Sequence, residues 1–361
     1  MKRLPILLAA LRDPGQLAHL APADWDLLLR QSTTANLTPS VLALLEERGL
    51  LDRVPAHVRA HIEWVRPLAV RHRQAVRFEV ARIREALART GVPVILLKGA
   101  AYTMADLRAG RGRLYSDVDI LVPKARLGEV ESALMLAGWA TTHHDAYDQR
   151  YYRQWMHELP PMQHVKRRSA IDVHHAILPE TAPVRPDPDK LRAAARPLAG
   201  QDGLAVLAPT DMVLHSAVHL FFDGEFDKGL RDLLDIHLLL GEFGAVPGFW
   251  EALVPRAREL QLGRPLFYAL RYATRLLGTA VPPRVLAEAA PLGPGSALSW
   301  LMDRLFERAL LPEHPSCADA WTGAARFALY VRGNWLRMPP LLLARHLFHK
   351  AFISPRTEAL P

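Results

Sequence analysis

The chain has 361 residues, half of them apolar, enough to bury one substantial core or two modest ones, which excludes an extended or disordered protein. Lys and Arg outnumber Asp and Glu by 45 to 37 and the pI is near 9.8, so the favoured partners are anionic: nucleotides, nucleic acid or an acidic membrane surface. Cys317 is the single cysteine, which excludes an intrachain disulfide and a thiolate metal cage and fits a reducing cytoplasm.

The opening MKRLPILLAALRDPG has a basic tip and a short apolar run, but Arg12 and Asp13 interrupt it, so the pattern predicts an amphipathic first helix rather than a signal peptide. No run approaches the roughly 20 apolar residues needed to span a bilayer, so no stable membrane insertion is expected. Apolar spacing is helical over 1–90 and ends at Gly91, suited to a left-handed cap. Two short apolar, β-branched runs follow at 92–97 and 117–122, and RLGEVESALMLAG predicts a helix over 126–137 closed by Gly138. YYRQWMHEL and SAIDVHHAIL are the third and fourth strand candidates, with KRRS as the turn between them. TAPVRPDPDK is Pro-rich and polar, a linker candidate, and from Leu204 onward the pattern is helical again, with Thr210 placed to cap a helix starting at Asp211. The expected organisation is α+β: an N-terminal helical region (1–90), a small mixed sheet core (91–182) and a C-terminal helical domain (204–361).

Asp117 and Asp119 are two apart in a strand whose other members are apolar, so both carboxylates project from one face about 6 to 7 Å apart along the backbone. Such a pair repels unless a cation lies between, and a magnesium ion completed by triphosphate oxygens suits it. The other possibility is a pair of solvated acids on an edge strand, but Ile120, Leu121 and Val122 argue for a buried strand in which unpaired acids are costly. Upstream, LLKGAAY puts Gly99 after a strand and before a helix, where exposed N–H groups can meet phosphate, and Lys98 adds a cation. Downstream, alternation in AIDVHHAIL puts Asp172 and His174 on one face, so Asp172 becomes a third carboxylate if this strand neighbours the first.

LLKGAAYTMADL, then RGRLYSDVDILV, then the strand acid with a nearby histidine resembles the polymerase β-type nucleotidyltransferases, and within them the uncharacterised bacterial nucleotidyltransferase-like family 5. The resemblance is strong over 94–178 and loose over the helical remainder. It implies a mixed sheet backed by helices, with Asp117, Asp119 and Asp172 as catalytic ligands of two Mg2+ ions. It further implies an NTP substrate held by Lys98, Gly99, Ser116, His174 and Arg231, and Arg111 or Arg113 on the leaving group. The resemblance leaves the acceptor, a hydroxyl or phosphate, open between a small molecule, a protein, a sugar and RNA. Ala100 stands where the wider superfamily usually has Gly or Ser, and the stretch from Gly99 to Asp117 is longer than usual. Those departures motivate the alternative reading, a non-catalytic nucleotide- or polyanion-binding module on the same fold.

Four further patterns carry weaker signals. Asp211, His215 and His219 are one helical turn apart and could build a metal site, but their apolar neighbours favour packing. His143, His144, His157, His164, His174 and His175 crowd the same window without a zinc-hydrolase spacing. Arg231 and Asp235 read as an intrahelical ion pair, on a helix that the family resemblance would turn toward the nucleotide. The tail at 326–352 interleaves arginines with Trp335 and leucines, which suits a terminal helix docked on its own core or one lying on an anionic membrane, broken near Met338-Pro339-Pro340.

Overall fold

The computed structural model describes residues 4–142, 145–339 and 343–344. His143, His144 and the expectations placed on the tail beyond Pro339, including Arg345, Leu347, Phe348 and Lys350, lie outside the described residues.

Among the described residues, seven short strands form one mixed sheet: β1 (Val94–Leu96), β2 (Asp117–Leu121), β3 (Trp139–Thr141), β4 (Met162–His164), β5 (Ala170–His174), β6 (Arg196–Pro197) and β7 (Leu204–Val206), in the order β3-β4-β5-β2-β1-β7-β6. The central strands β1 and β2 are wholly apolar apart from Asp117 and Asp119 of β2, as strands covered on both faces must be. β2 runs parallel to β5 and antiparallel to β1. This register sets Asp119 directly opposite Asp172.

Helices cover the sheet. Val65–Leu87 buries Val76, Val80, Ile83 and Leu87, a stripe at helical spacing, and packs on β2 and on the helices that follow β1 and β2. Its run ends in a 3-10 turn at Ala88–Thr90, and Gly91 takes the left-handed conformation expected of it, with φ of 63°. Leu127–Leu136 is the helix expected over 126–137, and Gly138 follows it with φ of 100°. The C-terminal region packs helices Pro209–Phe222, Gly229–Phe243 and Gly263–Leu277 around an aromatic cluster of Phe221, Tyr268, Tyr272 and Phe306. Among the described residues, no helix is long and apolar enough to cross a membrane.

Four local expectations are corrected. YYRQWMHEL is not a strand: Ala146–Trp155 is a helix, and only the last residues, His157–Leu159, meet the sheet, through an isolated antiparallel bridge from Glu158 to His174 and backbone bonds at the end of β5. The strand beside β5 is Met162–His164, and the KRRS turn lies between these two, where Arg167 pairs with Glu79 at 2.7 Å and stacks on Trp139. Leu204–Val206 is a strand because it pairs in parallel with β1, so the sheet runs past the linker, which itself contributes the Pro188–Ala194 helix. Thr210 sits inside the helix that begins at Pro209 rather than capping it, its hydroxyl near Asp211.

The tail docks on its own core as far as it is described. Thr322–Arg337 packs against Ser296–Ala309 and Pro209–Phe222, Arg332 donates to the Phe221 carbonyl at 2.7 Å, and Arg337 donates to Asp223 at 2.7 Å. The helix ends at Arg337, just before the predicted break. Gly333 and Gly224 touch backbone to backbone, and a Cβ on Gly333 would lie 2.6 Å from the Gly224 Cα, so this helix is pinned against the loop at 223–228.

Candidate active site

β2 carries Asp117 and Asp119 on one face, and β5 carries Asp172 opposite Asp119. Each of the three carboxylates offers an oxygen within 4.8 Å of the other two. Asp119 is buried and accepts from Lys98 Nζ at 2.9 Å and His174 Nε2 at 3.0 Å. Burial alone would raise its pKa, but the Lys98 charge and the His174 bond hold it well below the usual carboxylate range. Lys98 in turn is half-buried, which disfavours its charge, yet Asp119 and Asp117 outweigh that and hold it protonated. Asp172 has no such cation, so burial and the neighbouring charges of Asp119 and Glu158 push its carboxyl up to about 7. Three crowded carboxylates with one held near neutrality form an all-oxygen donor set that fits a hard divalent cation such as Mg2+.

Lys98 occupies the turn from β1 into the Lys98–Met104 helix with φ of 43°, a left-handed backbone that costs a non-glycine residue on the order of 1 kcal/mol or more. The turn is held by Leu97, whose N–H donates to the Asp119 carbonyl at 3.0 Å. That strain sets the ammonium on Asp119 rather than in solvent.

Beside the carboxylates opens a cleft of about 310 Å³, bordered by Lys98, Arg113, Ser116, Asp117, Asp119 and Arg231 and closed by the loop at 223–228. Five residues in and beside that loop were not singled out from sequence for this site: Asp223, Glu225, Asp227, Lys228 and Asp232. A run of four charged residues between two apolar helices was the available signal. His219, read as packing, also lines this cleft, 3.7 Å from Asp223 and 3.8 Å from Asp232. His215 is buried as expected, and Asp211 is held by Arg256 at 2.8 Å, so these three do not form a metal site.

Four sequence assignments fall differently. Arg231 does not pair with Asp235: its guanidinium donates to Asp232, one residue on, at 2.7 Å. Asp235 instead accepts from Arg113 Nε at 2.6 Å, so Arg113 is buried in an ion pair, with its guanidinium over the rings of Tyr102 and Tyr115. Gly99 offers no open cradle, because a Cβ there would strike the Arg113 guanidinium and lie 2.7 Å from the Tyr115 ring; the glycine makes room for them. The helix it opens has only seven residues. Arg111 is drawn away from the carboxylates into a separate groove with Arg73, Arg77 and Glu46 on the N-terminal helices.

His174 bridges two acids: Nε2 faces Asp119 and Nδ1 lies 3.1 Å from Glu158. Burial disfavours its charge, but Glu158 and Asp119 raise its pKa above the ordinary histidine value. His157 stacks on the His174 ring at 5.3 Å. Glu158 and His157 were not assigned to the site from sequence, because their segment was read as an ordinary strand.

No curated protein and no solved structure matches the chain. A family model described as an uncharacterised nucleotidyltransferase matches residues 21–278, which takes in the sheet, all three carboxylates and the helix carrying Arg231. The family resemblance carried by the KG turn, the paired strand acids and the later acid is thereby established: the chain belongs to this family of uncharacterised nucleotidyltransferases.

Proposed function

We propose that the protein moves a nucleoside monophosphate from an NTP to a hydroxyl or phosphate acceptor, with magnesium. The observation that carries this reading is the register that sets Asp119 against Asp172 with Asp117 two residues away, three carboxylates converging at the edge of a cleft lined by charged residues of both signs. Asp117, Asp119 and Asp172 would hold the ions, which when bound neutralise charge developing on the α-phosphate and help the leaving pyrophosphate depart. Lys98, Lys228 and Arg231 border the same cleft and attract the triphosphate; Ser116 is exposed there and offers a hydroxyl. Asp172, with a carboxyl near neutrality, is suited to accept the acceptor's proton. His174 orients Asp119 by donating Nε2–H to it while Glu158 holds the other side of the ring.

Isothermal titration of the four NTPs with and without magnesium, on the wild type and on Asp117→Asn, tests this. Binding that requires both magnesium and Asp117 supports the transferase reading and names the nucleotide. A salt-sensitive but magnesium-independent affinity, unchanged in Asp117→Asn, would replace it with the non-catalytic binding module.

A further inference from the structure

Behind the carboxylates lies a second set of ligating side chains. The backbone at 157–159 runs along the end of β5: Glu158 bridges His174, Leu159 N–H donates to the Val173 carbonyl at 2.9 Å, and the His157 carbonyl accepts from His175 N–H at 2.8 Å. This pairing brings His157, Glu158 and His174 together, one ligand atom of each within 4.8 Å of the others. Glu158 and His174 already touch at 3.1 Å. The third member is different: His157 Nδ1 is buried and has no hydrogen-bond partner. A buried imidazole nitrogen without a partner is costly, and the ring that carries it stacks on His174 in a cluster with Glu158.

We propose that His157, Glu158 and His174 bind a divalent transition-metal ion of the zinc type, a site separate from the oxygen-only magnesium set formed by Asp117, Asp119 and Asp172. Two imidazoles and one carboxylate are the donors that borderline ions select, whereas magnesium prefers oxygen alone. Zinc–nitrogen bonds of about 2.1 Å need the farthest ligand pair to close by no more than about 1.4 Å, within reach of side-chain rotation. On binding, the ion takes the place of the proton that His174 Nδ1 shares with Glu158, and that proton leaves to solvent. His174 then keeps a single N–H, on Nε2, and donates it to Asp119, the carboxylate–histidine–metal arrangement that fixes a ligand's tautomer. The ion would thus tie the segment at 157–159 to β5 and orient Asp119 from behind, positioning the carboxylates without touching the nucleotide.

The test loads metal-stripped full-length protein with Zn2+ and measures tightly held metal after gel filtration, with Co2+ as an absorbing substitute that reports nitrogen ligation. The wild type is expected to retain one equivalent and give a tetrahedral cobalt spectrum. His157→Ala and Glu158→Gln, both checked for native circular dichroism, are expected to lose both signals. Asp117→Asn is expected to keep full zinc uptake while losing magnesium-dependent NTP binding, so failure of the transferase reading and failure of this one are read separately. No retention by folded wild type, or equal retention by His157→Ala, would overturn the proposal, the latter placing the ion on other histidines.

Discussion

Asp235→Ala removes the partner of a guanidinium that is almost wholly buried at the edge of the cleft. Arg113 is 7% exposed, its Nε–H donates to Asp235 at 2.6 Å, and the next carboxylate, Asp232, is 3.8 Å from Nη2 and already bonded to Arg231. Removing one member of such a buried pair typically costs about 3 to 5 kcal/mol, because the remaining charge is left desolvated. Unfolding entropy of about 2.1 cal/mol/K per residue over the chain gives roughly 0.76 kcal/mol/K, so the melting temperature should fall by about 4 to 7 °C in a calorimetric scan. The loss has a structural consequence for the site, since Arg113 ties the Gly229–Phe243 helix to the segment leading into β2. Arg113→Met in the Asp235→Ala background should recover part of the loss, because it removes the stranded charge and leaves an apolar side chain between Tyr102 and Tyr115. A shift below about 1 °C, or a double variant as unstable as the sum of the two singles, would refute the claim that this ion pair is buried and coupled.

Gly99→Ala should destabilise by about 1 to 3 kcal/mol, since the added methyl must displace Arg113 and Tyr115; an unchanged melting temperature would show that the close approach is not real. Tyr102→Phe removes the buried hydroxyl 2.5 Å from Ser216 and should cost about 1 kcal/mol in chemical denaturation, because Ser216 keeps its own bond to the Met212 carbonyl. His237, placed in a half-buried site near Arg108 and bonded to Thr279, has its pKa lowered to about 4 by burial first and the Arg108 charge second. The unfolded chain therefore binds a proton there that the folded chain does not between about pH 6.5 and 4, and stability falls as pH drops through that window. His237→Gln should flatten that fall by on the order of 2 to 3 kcal/mol, measured as the difference in denaturation midpoints between neutral and acidic buffer; parallel pH curves for the two proteins would contradict it.

Where the side chains alone carried the pattern, the sequence was informative. β2 was legible because Asp117 and Asp119 alternate with apolar residues and a proline closes the run, and β5 because Ile171, Val173 and the acid between them alternate in the same way. Gly91 and Gly138 marked helix ends because the left-handed turns they occupy exclude most other residues. The segment at 151–159 was misread because aromatic and β-prone residues can also line one side of a helix, and the sheet's neighbour to β5 was supplied by three residues further on. Leu204–Val206 is too short for any periodicity to show, and only its pairing with β1 makes it a strand.

The residues that line the site from a distance were least legible. Glu158 and His157 reach His174 through backbone pairing at the end of β5, with fifteen residues between Glu158 and His174, and the loop at 223–228 reaches the cleft because Gly224 meets Gly333 more than a hundred residues later. Arg113 and Asp235 found each other rather than their sequence neighbours because both are buried, and a buried charge takes whichever opposite charge the packing brings to it. Local chemistry, then, set which strand holds the acids and which face they share, since alternation and turn residues act over a few positions. The convergence of Asp172 on Asp117 and Asp119, the cation on Asp119, the departure of Arg111 and the closure of the cleft depended on strand order and helix docking, which are settled by burial across the whole chain.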